Sequence, residues 1–406
     1  MASDWRLSTW GDEVSLEYGK ALRGYQESKH GYRVFGSNGP IGWTEKPLAE
    51  GPGVILGRKG AYRGVHFSKD PFFVIDTAYY VEPMSEMDKR WLYYAIQYHK
   101  LGEIDDGSPI PSTTRAAVYV RELEVPSVPE QNEIGRVLTS LDDRIEHNRD
   151  LTANLEAIAR RLFKSWFMDF DPVRAKAAGE KPAGLADDLA ALFTDRFVDS
   201  ELGEAPDGWK VGKISDFSTN IRVGCTPSQF SSEDFYVGLE HFDRRCLTLW
   251  HGGSGDDATS NKSRFAKGDL LFGKLRPYFH KVAIAPTDGI CSTDILVIRC
   301  ADNAYREFMY FSLFQDEVIQ FVSDASGGTR MPRTNWATLA GYDCVVPPRS
   351  VASAFGKIVA PMIETMMQCI SENDALIEIR DLLLPRLISG KLRVADAESL
   401  IEKAIA

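Results

Sequence analysis

Basic, aromatic and glycine-rich residues cluster in this chain in a way that fits recognition of an anionic, base-bearing polymer. One cluster holds Arg58, Lys59, Tyr62 and Arg63; another holds Lys262, Arg264, Lys274, Arg276, Tyr278 and Lys281. Arginine can grip the O6 and N7 of guanine with two parallel N–H donors. Lysine, Ser and Thr hydroxyls and loop N–H groups can hold phosphates. The polar loop Gly36-Ser37-Asn38-Gly39-Pro40-Ile41-Gly42 can approach a duplex closely, with Ser37 and Asn38 as its short polar groups. Gly327-Gly328-Thr329-Arg330, with Arg333, offers a similar surface later in the chain. Each residue alone reads as a solvated surface group; the clustering carries the inference.

Signatures of catalysis are missing from a chain long enough to hold them. There is no G-x-x-x-x-G-K-S/T loop, no H-E-x-x-H and no G-x-S-x-G. Asp70-Pro71-Phe72-Phe73 lacks the second proline of an adenine methyltransferase loop and reads as a turn into a strand. The six cysteines, at 225, 246, 291, 300, 344 and 369, include no C-x-x-C pair, so they read as reduced and structural, without a zinc site. No catalytic residue, metal or cofactor is expected on this chain itself.

The net charge is −11, which taken alone argues against a DNA binder. The distribution argues otherwise. Residues 169–207 carry 4 basic and 10 acidic side chains, whereas residues 262–281 carry 6 basic and 1 acidic, and residues 55–70 carry 4 and 1. The acid is concentrated in one connecting segment, and the two basic patches lie at matching places of an internal repeat.

That repeat has a period of about half the chain. Trp5-Arg6-Leu7 with Asp12 matches Trp209-Lys210-Val211 with Asp216, a shift of 204 residues. Val54-Ile55-Leu56-Gly57-Arg58 with Tyr62 matches Leu270-Leu271-Phe272-Gly273-Lys274 with Tyr278, a shift of 216. Asp76 matches Asp294, and Val125-Pro126 matches Val346-Pro347 at a shift of 221. From there Ile134, Leu138, Leu141, Ile145, Leu155, Ile158, Leu162 and Trp166 fall without gaps on Phe355, Val359, Met362, Met366, Leu376, Ile379, Leu383 and Leu387.

The elements that must position the clusters follow. Val54–Leu56, Phe73–Ile75, Leu270–Phe272 and Ile295–Ile298 read as strands, and 91–99 and 305–314 as helices. A long helix from about Glu130 to Phe167 has a heptad seam through Ile134, Leu138, Leu141, Ile145, Leu155 and Leu162, interrupted by Asn148 and Thr152. At 1.5 Å per residue it is about 57 Å long. A second copy runs from about Ser350 to Ile388, where Pro361 is expected to kink or restart it.

The expected fold class is α+β. Two mixed α/β domains stand in tandem, with two long antiparallel coiled-coil helices and a pseudo-two-fold internal repeat. The divisions are 1–128 (first domain), 129–168 (first helix), 169–206 (acidic linker), 207–348 (second domain), 349–391 (second helix) and 392–406 (tail). No apolar run approaches the roughly 20 residues needed to span a bilayer. No signal peptide is visible at the start, so a cytoplasmic location is expected.

At this point the sequence resembles the specificity subunits of type I restriction–modification systems, over nearly its whole length. Four strings carry the resemblance: Phe35-Gly36-Ser37-Asn38-Gly39-Pro40-Ile41-Gly42; Gly57-Arg58-Lys59-Gly60 leading to Asp76-Thr77-Ala78-Tyr79-Tyr80; 197–209 with Asp199-Ser200-Glu201-Leu202-Gly203 and Pro206-Asp207-Gly208-Trp209; and Leu384-Pro385-Arg386-Leu387-Ile388-Ser389-Gly390. The resemblance implies that each domain is a target recognition domain reading one half of a bipartite site in double-stranded DNA. It implies that the helices set the unread gap and dock two methyltransferase subunits, and that a restriction/translocase subunit joins the complex. S-adenosylmethionine, ATP and Mg²⁺ would belong to those partners. The second domain has Tyr236-Val237-Gly238-Leu239-Glu240 where the first has its Gly-Ser-Asn-Gly loop, so the two halves are expected to read different sequences.

Two other classes remain open on the residues. One is a self-sufficient DNA methyltransferase or nuclease with an unrecognised active site. The other is a coiled-coil scaffold that binds only protein.

Overall fold

The structure is a computed structural model that describes residues 5–105, 107, 109–327 and 331–405. The chain folds into two compact units, one of residues 1–146 and 373–406, the other of residues 147–372.

The first unit opens with β1 (Arg6–Thr9), the one-turn helix α1 (Trp10–Glu13), β2 (Val14–Tyr18), β3 (Tyr32–Gly36), β4 (Gly39–Thr44), β5 (Gly53–Gly57), β6 (Val65–Ser68), β7 (Phe72–Val74) and β8 (Ala78–Pro83). Then come α2 (Lys89–Tyr98), α3 (Arg115–Tyr119) and β9 (Glu122–Val125), before the long helix α4 (Val128–Phe167) begins. Strands β2-β8-β5-β6 form an antiparallel sheet, β4-β3-β7 a second sheet, and β1 pairs with β9. The unbroken apolar run in β5 has a physical cause. Val54 and Leu56 face the main core with Trp10, Trp91 and Ile96, while Ile55 faces a smaller core with Phe35 and Phe72. A strand buried on both faces cannot alternate.

The second unit holds α5 (Asp171–Ala177), α6 (Asp187–Ala190), the hairpin β10 (Phe197–Ser200) and β11 (Gly203–Pro206), then β12 (Lys210–Lys213), β13 (Ser218–Ile221), β14 (Val223–Cys225), β15 (Phe235–Val237), β16 (Gly253–Ser254) and β17 (Lys262–Phe265). It continues through β18 (Leu270–Gly273), β19 (Val282–Ile284), β20 (Gly289–Ser292), β21 (Ile295–Cys300), α7 (Arg306–Leu313), α8 (Asp316–Ala325), α9 (Trp336–Ala340) and β22 (Asp343–Val346) into α10 (Arg349–Ile388). A last helix, α11 (Val394–Ile405), follows.

The duplication is explicit in the pairing. Sheet β13-β21-β18-β19 repeats the order β2-β8-β5-β6, and β12 pairs with β22 as β1 pairs with β9. The second sheets differ: three strands in the first unit, five (β14-β17-β20-β15-β16) in the second. One match shifts by a residue. Asp294 accepts the Lys274 N–H as Thr77 accepts that of Arg58, so Asp294 corresponds to Thr77 rather than to Asp76.

Within the first unit, Ile134, Leu138, Leu141 and Ile145 of α4 share a core with Leu376, Leu383 and Leu387 of α10. Asp142 pairs with Arg380 at 2.9 Å, and Ile145 O accepts from Asn373 at 3.3 Å, so the segments run antiparallel. Within the second unit, Asn148 donates to Glu372 at 3.0 Å, and the Phe163 ring lies 6.0 Å from that of Phe355, again antiparallel. The seam departs from the leucine reading in the rear of α4. The buried stripe there is Thr152, Glu156, Ala159, Phe163 and Trp166, whereas Ile158 is exposed and Leu155 and Leu162 are half-buried. Pro361 neither kinks nor restarts α10, which is continuous over 40 residues. Pro361 is exposed, so water can serve the carbonyl it leaves unpaired, while Val359 and Ile363 anchor the flanking turn.

The acidic segment 169–206 has structure of its own: Phe170, Val173 and Phe193 are buried in the second unit's main core. The tail is likewise helical, with Ala397 in the first unit's core and Glu398 paired to Arg136 at 2.6 Å.

Candidate nucleic-acid interface

In the first unit the turn from β5 to β6 is pinned on three sides. Gly64 donates to Ser37 O at 2.8 Å, Arg58 and Lys59 donate to Thr77 O at 2.9 and 3.1 Å, and Gly60 donates to Pro111 O at 3.0 Å. The approach is so close that a Cβ on Gly57 would sit 2.3 Å from Ser37 O, which only glycine avoids. The Ser37 hydroxyl bridges the Lys59 and Thr77 carbonyls, and Asn38 is exposed at the tip of the β3–β4 hairpin.

These contacts bring Ser37, Asn38, Arg58, Lys59 and Tyr62 to one end of the sheets. Lys59 is exposed and Tyr62 is 78% exposed, on a stiff turn where they can meet a ligand. Arg58 lies over the Tyr18 ring at 4.8 Å and donates to Asp76 O at 2.9 Å. Arg63 turns inward. Its nitrogens donate to Gly60 O, Gly102 O, Ile104 O and the Thr113 hydroxyl at 2.6–3.2 Å, so its charge is committed to the fold.

The second unit sorts its cations the same way. Lys262 is buried and donates to Ser260 at 2.8 and 2.9 Å; Arg264 is tied to Gln229 O and Asp234; Lys281 donates to Leu239 O. Arg333 pairs with Asp294 at 2.6 Å and stays about half exposed. Arg276 adopts a left-handed backbone (φ 49°) and lies over Phe279 at 5.9 Å, with its Nε unpartnered among the described residues. Tyr278 is 53% exposed. Arg330 lies outside the described residues.

Lys274 stands apart. It lines a cleft of about 610 Å³ together with Asn220, Arg222, Asn261, Asn335 and Trp336. Among the described residues its ammonium makes no hydrogen bond or ion pair. Burial pushes its pKa below the usual lysine value, against the pull of Asp294 and helped by Arg333 and Arg222. A half-buried cation without a partner favours a ligand that supplies acceptors. Asn335 accepts the Thr338 N–H at 3.0 Å through its oxygen, capping α9.

Sequence reasoning passed over Tyr18, Arg115, Arg222, Asn220, Asn335 and Trp336. The signal for four of them was present. The shift of 204 places Tyr18 on Arg222, and that of 221 carries Arg115 to Trp336. Among the described residues there is no group of three His, Cys, Asp or Glu side chains placed to hold a metal ion. None of their helices is long and apolar enough to cross a membrane.

Comparison with known proteins adds the following. Residues 9–157 match the family described as the type I restriction modification DNA specificity domain. The chain is 29% identical to the type I restriction enzyme HindI specificity subunit of Haemophilus influenzae, over 73% of this chain and 74% of that one. It is 24% identical to the MjaIX specificity subunit of Methanocaldococcus jannaschii, over 95% and 88%. The crystal structure of the type I restriction–modification S subunit from M. genitalium has a similar fold, with a TM-score of 0.63 at 16% identity over 95% of this chain and 96% of that one.

Proposed function

The chain belongs to the specificity subunits of type I restriction–modification systems, and from that premise we propose that its two recognition domains read the two different halves of one bipartite, asymmetric DNA site. The observation that carries this is the duplicated frame with unequal second sheets. Both units repeat one strand order and one set of turn hydrogen bonds, yet the accompanying sheet has three strands in one and five in the other. A shared frame suits a shared ligand, and different surfaces suit different sequences.

In this reading the chain is the non-catalytic reader of a larger complex. Helices α4 and α10 set the number of unread base pairs between the half-sites. They also dock two methyltransferase subunits, which bring S-adenosylmethionine, and a restriction/translocase subunit that uses ATP and Mg²⁺ joins them. The exposed Lys59, Tyr62 and Tyr278 and the half-exposed Arg333 supply contacts to the duplex.

Mapping methylated adenines made by the assembled complex tests the proposal. It should give two dissimilar half-sites separated by a constant gap. Adding one heptad to both α4 and α10 lengthens each by about 10 Å, which should widen the gap by about three base pairs. A single contiguous site, or a gap indifferent to the insertion, defeats the reading. So does methylation or cutting of duplex DNA by the purified chain alone with S-adenosylmethionine and Mg²⁺, which is the outcome expected of a self-sufficient enzyme.

A further inference from the structure

The two units place three side chains at backbone-equivalent positions, and the residue types there are exchanged. In the first unit, β2 ends on Tyr18, opposite Tyr79 of β8. Strand β5 leads into Arg58, whose carbonyl accepts the Thr113 N–H at 2.9 Å; Thr114 then caps α3, and Arg115 is its first residue. In the second unit, β13 ends with Ile221 opposite Val297, which sets Arg222 against Leu296. Strand β18 leads into Lys274, whose carbonyl accepts the Thr334 N–H at 3.0 Å; Asn335 caps α9, and Trp336 is its first residue. Thus Tyr18, Arg58 and Arg115 correspond to Arg222, Lys274 and Trp336.

The chemistry differs at each. In the first unit the ring lies on the strand and both cations sit over it, Arg58 at 4.8 Å and Arg115 at 4.3 Å. In the second the cations come from the strand ends and the ring from the helix, and the three line the open cleft. An aromatic face, two cations and carboxamides (Asn220 and Asn335) suit a flat ligand rich in acceptors along its edge. A base pair is such a ligand; a bare phosphate needs only the charge.

We propose that the cleft holding Arg222, Lys274, Asn335 and Trp336 is the base-reading centre of the second unit, and that Tyr18, Arg58 and Arg115 occupy the equivalent centre of the first. This rests on the reading of the chain as a DNA-specificity subunit. Lys274 donates to the O6 and N7 acceptors of a guanine. The Asn335 amide keeps its oxygen for the helix and offers its N–H₂ to a base acceptor. Trp336 supplies an apolar wall, and Arg222 stands at the exposed rim.

Four substitutions, three in the second unit and Arg58→Gln in the first, test this in the complex assembled with its methyltransferase partners. Lys274→Met keeps the stem and removes the charge. Asn335→Ser keeps an acceptor for the Thr338 N–H and removes the amide donor. Arg222→Ala alters an exposed residue and leaves the core intact. The readouts are the map of methylated adenines and binding to the parent site and its single-base variants over a salt series. Lys274→Met and Asn335→Ser should each relax one or two positions of one half-site by about ten-fold or more and leave the other half unchanged. Arg58→Gln should relax the opposite half. An unchanged map overturns the proposal. So does a uniform loss across all sequences with a shallower salt slope, the mark of phosphate contacts alone. If the parent complex itself shows no sequence preference, the underlying functional reading fails instead.

Discussion

The carboxylate of Asp142 joins three helical segments of the first unit: Oδ1 receives Arg380 of α10 at 2.9 Å, and Oδ2 receives the Tyr94 hydroxyl of α2 at 2.6 Å. The Asp142 and Arg380 side chains are both less than a third exposed, so the pair is screened less than a surface ion pair. Asp142→Ala removes both bonds and should cost about 2 kcal/mol, read as a lowered midpoint in thermal unfolding of the full chain. Asp142→Asn keeps an oxygen for Tyr94 and should lose less. Equal losses for the two variants would show that the retained hydrogen bond contributes nothing and that the charge carries the whole effect.

Arg63 sits in the middle of a basic cluster but works as an internal clamp. Arg63→Ala strands four acceptors that the guanidinium now serves, at a cost of about 2–3 kcal/mol. Arg63→Lys should recover little of this, because one ammonium cannot span acceptors laid out for a planar fork. Tyr62→Ala next to it, at an exposed position, should leave stability within about 0.5 kcal/mol. Chemical denaturation of the three variants separates the roles; an Arg63→Ala chain as stable as the parent would return Arg63 to the ligand-binding surface.

Glu156 is buried in the rear stripe of α4 and accepts the Leu247 N–H at 3.0 Å, with Arg160 at 3.6 Å and the Cys246 thiol nearby. Burial raises its pKa above the ordinary glutamate value, opposed by the Leu247 hydrogen bond, Arg160 and Cys246. The folded chain therefore holds this proton more readily than the unfolded chain. The associated stability is full below the unfolded-state pKa and is lost as the pH rises through the folded-state pKa. Glu156→Gln keeps an acceptor for Leu247 and carries no charge to bury. The variant should match the parent in acid and become the more stable of the two towards neutral pH and above. Unfolding free energies of both chains across that range decide it, and parallel curves would rule the carboxylate out as the cause.

The parts of this fold that could be read from the sequence are those where burial dictates residue type. Val54–Leu56 announces a central strand because both faces are dry, and Ile134 through Ile145 announces a seam because leucine-type spacing survives there. The rear of α4 hid its stripe because Glu156 occupies a buried position while the apolar Ile158 faces outward. The five-stranded sheet of the second unit was equally hidden: its edge strand β14 carries exposed Val223 and Gly224, and β17 buries Lys262. For the site, residue type located the clusters but could not say which way a side chain turns, so Arg63 and Lys262 were read as free cations. The matched trio was spread over three segments with three different shifts, and only strand register shows that they meet.

Pro361 offers the last test, because the helix that holds it tolerates a residue that should break it. Proline in a helix interior is about 3 kcal/mol less favourable than alanine, since it lacks the N–H for the carbonyl four residues back and crowds that carbonyl. Here α10 runs through unbroken, and Thr365 adds its hydroxyl to the Pro361 carbonyl at 2.9 Å. The packing of Val359 and Ile363 in the second unit's core must therefore outweigh the local penalty. Pro361→Ala restores the missing N–H at an exposed position without touching that core, and should stabilise the chain by about 1–3 kcal/mol. A rise in the thermal midpoint with an unchanged methylation map is the expected outcome. A fall would mean that proline rigidifies the unfolded chain, or shapes the helix, by more than its lost hydrogen bond costs.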